Sequence, residues 1–308
     1  MAKTKLLFIG YSSFARRRLI PSINRNNKFN YCICSKSNKI DFSKKIFYNN
    51  YQDALKKFKP DIVYISTVNS THYEYSKKIL EKGFNVIVDK PATLNIKTTK
   101  KLLQIAKRKK LLFAEATLFN YHRVFDVIKK LSNGTSQIEH IQSNLNHPLE
   151  KSINKIANIN GDCEYDMSPY AAAIIRLFMS DSFKNLNVNR SYFKNTKLVK
   201  NFYIKKNTKT CTYFGNFAVQ REYNQQIIFY TKDRIIYSPK RIFALPHNKN
   251  LEITLKTKIM IKKIKVKKDD CIKNFFNLVL TALKDKKYGF FYKNILVDAK
   301  IRNIIKIN

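Results

Sequence analysis

At 308 residues and 44% hydrophobic content, the chain is long enough for one large or two ordinary domains with a real core. Its 60 Lys and Arg against 21 Asp and Glu give a net charge of +39, spread over the whole length. That spread argues against a specific nucleic-acid site, which favours one dense basic patch, and suits an acidic small-molecule substrate.

The first 120 residues alternate strand and helix. The segment "KLLFIG" reads as an apolar strand, "SSFARRRLIPSI" as a helix start and "FNYCICS" as a second strand. A helix, "YQDALKKF", and a strand, "DIVYIST", follow. The helix "THYEYSKKILEKG" ends on Gly83, a good helix stop. Then come the strand "FNVIV", the helix "NIKTTKKLLQIAKRKK" and the strand "LLFAEAT". Such alternation predicts an α/β domain, a doubly wound parallel sheet with helices on both faces.

Residues 121–308 differ. A helix lies within "GDCEYDMSPYAAAIIRLFMSD". Four long β-like stretches follow: "NLNVNRSYF", "TCTYFGNFAVQREY", "QQIIFYTKDRIIYS" and "EITLKTKIMIKKIKVKK". In the last, Lys263, Lys265 and Lys267 alternate with Ile264 and Val266, a half-buried strand with one solvated face. A helical tail closes the chain. The expected second domain is α+β with an open, mostly antiparallel sheet.

No apolar run approaches the ~18 residues of a membrane span. The opening run, Leu6 to Ile9, is too short for a signal-peptide core. Five scattered cysteines show no C-x-x-C and no Cys/His cluster, so neither disulfides nor a metal site is indicated. A cytoplasmic protein without membrane attachment is expected.

Two stretches carry chemistry on their own residues. Gly10-Tyr11-Ser12-Ser13-Phe14-Ala15 opens the first βα unit and follows the dinucleotide fingerprint G-x-G-x-x-G/A, with Ser12 in place of the middle glycine. That glycine lets backbone N–H groups approach a pyrophosphate, so Ser12 either crowds the phosphate or donates to it. About 25 residues past Gly10, the second strand ends in Ser35-Lys36-Ser37, with no acid before Asp41. An acid there would hold a ribose hydroxyl. A cation and hydroxyls suit a 2′-phosphate, which favours NADP over NAD.

The stretches "DIVYISTVNSTHYEYSKKILEKGFNVIVDKPATLN", "LLFAEATLFNYH" and "GDCEYDMSPYAAAIIRLF" resemble, in order, the signature segments of the glucose-fructose oxidoreductase / inositol dehydrogenase family. So does "FGNFAVQREYNQQIIFYTKDRIIYSPKRIFALP", which is similar to the nucleotide-sugar ketoreductase branch. The resemblance implies that Lys90, from the E-K-P motif, reaches the substrate oxygen. Asp166 and Tyr170, from D-x-G-x-Y/H, are its implied partners. It also implies cofactor contacts from Thr67, Asn69, His72, Asp89, Lys90 and Glu115, beside Gly10, Ser12, Ser13, Phe14, Ala15, Ser35, Lys36 and Ser37. The chain departs from the pattern at Ser12, Val68, Asp89, Gly161-Asp162-Cys163 and Ser168.

The implied activity is reduction of a keto-sugar, nucleotide-activated, by hydride from NADPH. A sugar or dihydrodiol dehydrogenase acting in the oxidative direction is the alternative within the fold. A non-catalytic dinucleotide- or polyanion-binding protein is the alternative outside it. Assembly into a homo-oligomer through the C-terminal sheet is also expected.

Overall fold

The structure is a computed structural model that describes residues 2–35, 47–148, 163–179, 186–220 and 222–307. The chain divides into two compact units: Met1–Ala116 with Ile272–Leu296, and Thr117–Cys271 with Val297–Asn308.

The first unit holds six strands: β1 (Thr4–Ile9), β2 (Phe29–Cys34), β3 (Phe47–Tyr48), β4 (Ile62–Ile65), β5 (Asn85–Asp89) and β6 (Phe113–Ala116). They form one parallel sheet in the order β3-β2-β1-β4-β5-β6. Strand β4, all apolar or aromatic, is buried throughout, as expected of a strand covered on both faces. The connecting helices are α1 (Ile20–Asn26, entered through a π-helical turn, Ala15–Leu19), α2 (Tyr51–Phe58), α3 (His72–Glu81) and α4 (Ile96–Arg108).

Their ends are set locally. The side chains of Asn50 and Asn95 accept from the N–H of Gln52 at 2.7 Å and of Thr98 at 2.9 Å, capping α2 and α4. Helix α7 (Cys271–Asp285) returns to this unit, with Phe276 packed on Phe29 and Tyr64 at ring centroid distances of 5.2 and 6.2 Å. This strand order reverses between β1 and β4, which opens a crevice at the carboxyl ends of the strands.

The second unit contains α5 (Val124–Leu131), α6 (Cys163–Phe178) and eight strands. These are β7 (His140–Pro148), β8 (Leu186–Tyr192), β9 (Val199–Asn207), β10 (Thr212–Gln220), β11 (Asn224–Tyr230), β12 (Arg234–Tyr237), β13 (Leu251–Thr257) and β14 (Ile261–Val266). Their order is β14-β13-β12-β11-β7-β10-β9-β8, with every pair antiparallel except β7 and β10.

Strands β3, β7 and β9 were not read from the sequence, and one long strand is a hairpin. Strand β7, "HIQSNLNHP", lies mid-sheet although its composition is polar. The stretch read as one strand from Glu252 to Lys268 is a hairpin, β13–β14, turning at Thr257–Met260 without a glycine, proline or asparagine. The lysine alternation in β14 holds: Lys263 and Lys265 are exposed while Val266 is buried.

Helix α6 lies against β9 and β10, and its run Ala171–Ile175 is buried. Helix α8 (Gly289–Ile307) contributes Val297, Ile301 and Ile305 to the same core. Arg176 of α6 meets the buried Asp298 of α8 in a bidentate pair, at 2.7 and 3.2 Å.

Candidate functional site

In the first unit, the carboxyl ends of β1, β2, β4 and β5 bring together most of the residues singled out from the sequence. Gly10 follows β1 with φ +92. A Cβ there would lie 2.4 Å from the Ser66 carbonyl oxygen and 2.7 Å from its carbon, so only glycine permits this approach of β1 to β4. Its N–H donates to the Cys34 carbonyl at 2.8 Å, fixing the turn to β2 as well.

Ser12 has a defined place here. Ala15 donates its N–H to the Ser12 hydroxyl at 3.0 Å, and the Ser12 and Ser66 hydroxyl oxygens lie 2.7 Å apart. Ser66 in turn donates to Asp89 Oδ2 at 2.7 Å, and Tyr64 donates to Asp89 Oδ1. Ser66 has one hydroxyl proton, and an ionised carboxylate only accepts. Ser12 must therefore be the donor to Ser66. A directed chain runs from the helix opening through Ser12 and Ser66 to Asp89, the residue before Lys90. The hydroxyl of Ser12 is thus turned toward β4 and engaged with Ser66, and two departures from the family pattern, Ser12 and Asp89, are ends of one network.

Burial pushes the Asp89 carboxyl up; the bonds from Tyr64 and Ser66 and the nearby charges of His72 and Lys90 oppose this. The Tyr64 phenol is pushed up by burial and by Asp89.

Lys90 itself is half-buried, and the Lys90–Pro91 peptide is cis. The loop that carries it is tied on two sides. Buried Glu115, on β6, accepts the Ala92 N–H at 2.6 Å. Fully buried His72 places Nδ1 2.8 Å from the Pro91 carbonyl and Nε2 3.2 Å from the Thr67 carbonyl. Glu115 and His72 thus stand as holders of the loop. Thr67 accepts from the Thr71 hydroxyl at 2.8 Å, and Asn69 opens a 3-10 turn ahead of α3.

Ala15 is fully buried and Phe14 is exposed. The N–H groups of Ala15 and Arg16 turn to Ser12, while those of Ser13 and Phe14 stand at the helix opening, where no intrahelical acceptor exists. Ser35 donates its N–H to Tyr48 at 3.0 Å. Lys36 and Ser37 lie outside the described residues.

In the second unit, Asp166 and Tyr170 stand one turn apart on α6, on one face. Asp166 is exposed. Tyr170 is half-buried against Phe119 and Phe243, at 5.6 and 5.0 Å between ring centroids. Beside them is a group the sequence reading did not single out. Tyr223 packs edge-on against His147 at 4.9 Å, with its hydroxyl 3.4 Å from His147 Nε2, and the Arg241 guanidinium lies 5.9 Å from the Tyr223 ring centre. Burial and the neighbouring Tyr170 and Asp166 push the Tyr223 phenol up, while a bond from Gln225 and the Arg241 charge oppose. Only the arginine of "PKRIFALP" and the tyrosine of "REYNQQ", flanking β11 and β12, hinted at this group.

His122, buried, accepts the Val124 N–H on Nδ1 at 3.0 Å, and burial holds its imidazole below the ordinary histidine range. Among the described residues no cluster of His, Cys, Asp and Glu could hold a metal ion.

Residues 4–117 match the family described as oxidoreductase family, NAD-binding Rossmann fold. An NADP+-dependent D-xylose 1-dehydrogenase of Hypocrea jecorina is 33% identical over 84 residues, 27% of this chain and 22% of the relative. A dTDP-3,4-didehydro-2,6-dideoxy-alpha-D-glucose 3-reductase of Saccharopolyspora spinosa is 36% identical over 81 residues, 26% of this chain and 24% of the relative. The chain thus spans about a quarter of these curated relatives. Among solved structures, the 3-ketoreductase KijD10 of Actinomadura kijaniata, in complex with NADP and TDP-benzene, superposes with a TM-score of 0.89. That likeness covers 99% of this chain and 97% of the other at 16% identity, and is one of fold.

Proposed function

We propose that this chain, whose residues 4–117 match the oxidoreductase family with an NAD-binding Rossmann fold, reduces a keto group of a nucleotide-linked sugar at the expense of NADPH. The observation that carries the reading is Lys90. It stands at the carboxyl end of β5, on a loop tied by Glu115 and His72, in the crevice where such sheets bind dinucleotides. The NADP+-dependent and 3-reductase activities named for the two curated relatives support the cofactor and the substrate class.

The crevice fits a dinucleotide. Gly10 brings β1 close to β4, and Ser13 and Phe14 offer helix-opening N–H groups to a diphosphate. On the sequence alone, the Ser35-Lys36-Ser37 segment after β2 would offer hydroxyls and a cation to a 2′-phosphate. NADPH, when bound, supplies the hydride to the carbonyl carbon. The C=O electron pair then collects on oxygen. The Lys90 ammonium stabilises that developing charge, and the Tyr170 phenol delivers the proton. Asp166, one turn from Tyr170 on the same helix, is proposed to orient a sugar hydroxyl.

Lys90→Met tests this. Methionine keeps the length and loses the charge, so NADPH affinity should stay within about twofold while single-turnover hydride transfer falls about a hundred- to a thousandfold, as when one oxyanion donor is lost. Tyr170→Phe should do likewise, and the double variant should lose far less than the product of the two factors. Near-normal turnover by Lys90→Met would reduce Lys90 to a loop residue. Oxidation of a sugar hydroxyl with NADP+ is the same reaction reversed, and the D-xylose 1-dehydrogenase match favours testing it alongside.

The working setting is the cytoplasm. The five buried cysteines, none in a disulfide, suit it, and no helix among the described residues is long and apolar enough to cross a membrane. The homo-oligomer is proposed to form through the second sheet, where the exposed rings of Tyr203 and Phe214 stack at 6.1 Å. Sedimentation of Tyr203→Ser/Phe214→Ser against wild type tests it, with an unchanged mass overturning the proposal.

A further inference from the structure

The Arg241–Tyr223–His147 group, which the reduction chemistry does not use, has the makings of an anion site. Arg241 takes a left-handed backbone conformation, φ +60, that costs a bulky L-residue free energy. The fold holds it there: its N–H donates to the Gln225 carbonyl at 2.9 Å, and its carbonyl accepts from Ala244 at 2.8 Å. Strain retained in this way at an exposed position points to a role for the side chain. The guanidinium is set beside the Tyr223 ring, and no described carboxylate forms an ion pair with it. A planar fork held beside an aromatic ring, its N–H groups turned to no carboxylate, is suited to bidentate capture of phosphate.

Two further features fix the class of ligand. His147 adds a ring nitrogen beside the Tyr223 hydroxyl, a second place for a phosphate oxygen or a ribose hydroxyl. Gln225, 4% exposed, keeps a buried Oε1 with no hydrogen-bond partner. It is an unused acceptor at the foot of the same group, matched to a donor on a sugar or a base. A free monosaccharide has no charge for Arg241. A bare phosphate has no donor for Gln225 when ionised. A nucleoside diphosphate presents both.

We propose that Arg241, Tyr223, His147 and Gln225 form the subsite for the nucleoside diphosphate of the substrate, beside the Asp166–Tyr170 face that handles the sugar. The inference rests on the keto-sugar reading and adds what that reading leaves open, which residues recognise the activating group.

The test is calorimetric titration of thymidine diphosphate, uridine diphosphate and inorganic pyrophosphate into protein saturated with NADP+, so that the cofactor crevice is already filled. Wild type should bind both nucleotides and bind pyrophosphate more weakly. Arg241→Asn removes the charge with a residue that tolerates the left-handed backbone. It should weaken nucleoside diphosphate binding about thirtyfold, within the range for one lost charged hydrogen bond. Arg241→Lys, which keeps the charge without the fork, should fall between. NADP+ affinity and the melting temperature, measured on each variant, report that the fold is kept.

Unaltered binding by Arg241→Asn, or absence of nucleotide binding in wild type, would overturn the subsite. Binding equal to that of pyrophosphate alone would overturn the role of Gln225 and His147 in choosing a nucleoside. Failure of the two ideas is separable. If wild type binds the diphosphates as described but transfers no hydride to any nucleotide-linked keto-sugar, the reductase reading falls and the subsite stands. If hydride transfer proceeds and Arg241→Asn leaves KM for that substrate unchanged, the subsite falls and the reductase reading stands.

Discussion

The chain Ala15 N–H to Ser12 to Ser66 to Asp89 makes a measurable claim, because a relay couples residues 54 positions apart in sequence. The perturbations are Ser12→Ala, Ser66→Ala and the pair. Ser12→Ala deletes the acceptor at the helix opening, a loss of about 0.5–2 kcal/mol by analogy with helix caps. Ser66→Ala deletes a donor to a half-buried carboxylate, about 1.5–3 kcal/mol for a hydrogen bond to a charged group, and also strands the Ser12 proton. Because each single change already spoils the Ser12–Ser66 bond, the double variant should be less destabilised than the sum by about 1 kcal/mol.

The chain has no tryptophan, so urea unfolding followed by far-UV circular dichroism is the suitable assay. The melting point of Ser66→Ala should also fall by roughly 3–12 °C, at about 2–4 °C per kcal/mol. The variant has a pH signature too. Burial raises the Asp89 carboxyl, so its contribution to stability is complete at acid pH and is lost as pH rises through the raised value. Removing the Ser66 bond raises it further and extends that loss upward. Effects of the two substitutions that add to within about 0.3 kcal/mol would refute the relay.

Gly10→Ala should cost about 2–5 kcal/mol, from backbone strain at φ +92 plus a Cβ driven into Ser66, and should weaken NADPH binding in the same protein; thermal denaturation and fluorescence titration read both. His122→Gln should flatten the acid limb of the stability curve. Burial depresses the imidazole, so its contribution is present above about pH 6.5 and lost as pH falls through the lowered value, which melting points across pH 4–8 would show. Lys36→Asp should shift cofactor preference from NADPH toward NADH in parallel titrations, and tighter NADH binding by wild type would sink the 2′-phosphate reading. DNA binding should be weak, indifferent to sequence and steeply lost with salt; a salt-resistant, sequence-selective complex would contradict the account of the +39 charge.

The parallel sheet was legible because its strands are covered on both faces. "DIVYIST" and "FNVIV" are apolar runs bounded by helix signals, and β4 and β5 occupy them. The second sheet was legible only where one face is wet. Strand β14 alternates lysine with Ile264 and Val266, and was read correctly. Strand β7 was missed because its Asn and His face partners on β10 and β11, and pairing rather than apolar content makes it a strand. The β13–β14 turn was missed because Lys258 and Ile259 carry no turn chemistry.

The same distinction governs the site. Gly10 could be singled out because a tight turn demands its φ, and Lys90 because a lysine and a proline end an apolar strand. Glu115 and His72 were named for cofactor contact on resemblance, whereas their bonds to Ala92 and Pro91 appear only when β6 and α3 are folded beside β5. Arg241 gave only a faint local signal, its place in "PKRIFALP". Its significance lies in a backbone angle and in a tyrosine from beyond β11.

Ser12 and Asp89 show why departures from a family pattern are better judged in pairs. Taken singly, a serine in a glycine turn threatens the phosphate site, and a shortened carboxylate threatens the hold on the lysine loop. Folded together, Ser12 donates to Ser66, which donates to Asp89, and Tyr64 closes the carboxylate's other side. An Ala at position 12 would leave Ser66 with one partner fewer. A Glu at position 89 would have to fit one more methylene into space that Tyr64 and Ser66 already fill. Asp89→Glu should therefore destabilise the chain carrying Ser12 by about 1–3 kcal/mol, the usual range for an overpacked site. Ser12→Gly, which frees Ser66 to turn, should recover part of that loss. Melting points of the two single variants and the double variant decide it. If Asp89→Glu is harmless whatever stands at position 12, the two departures are independent and the network holds neither in place.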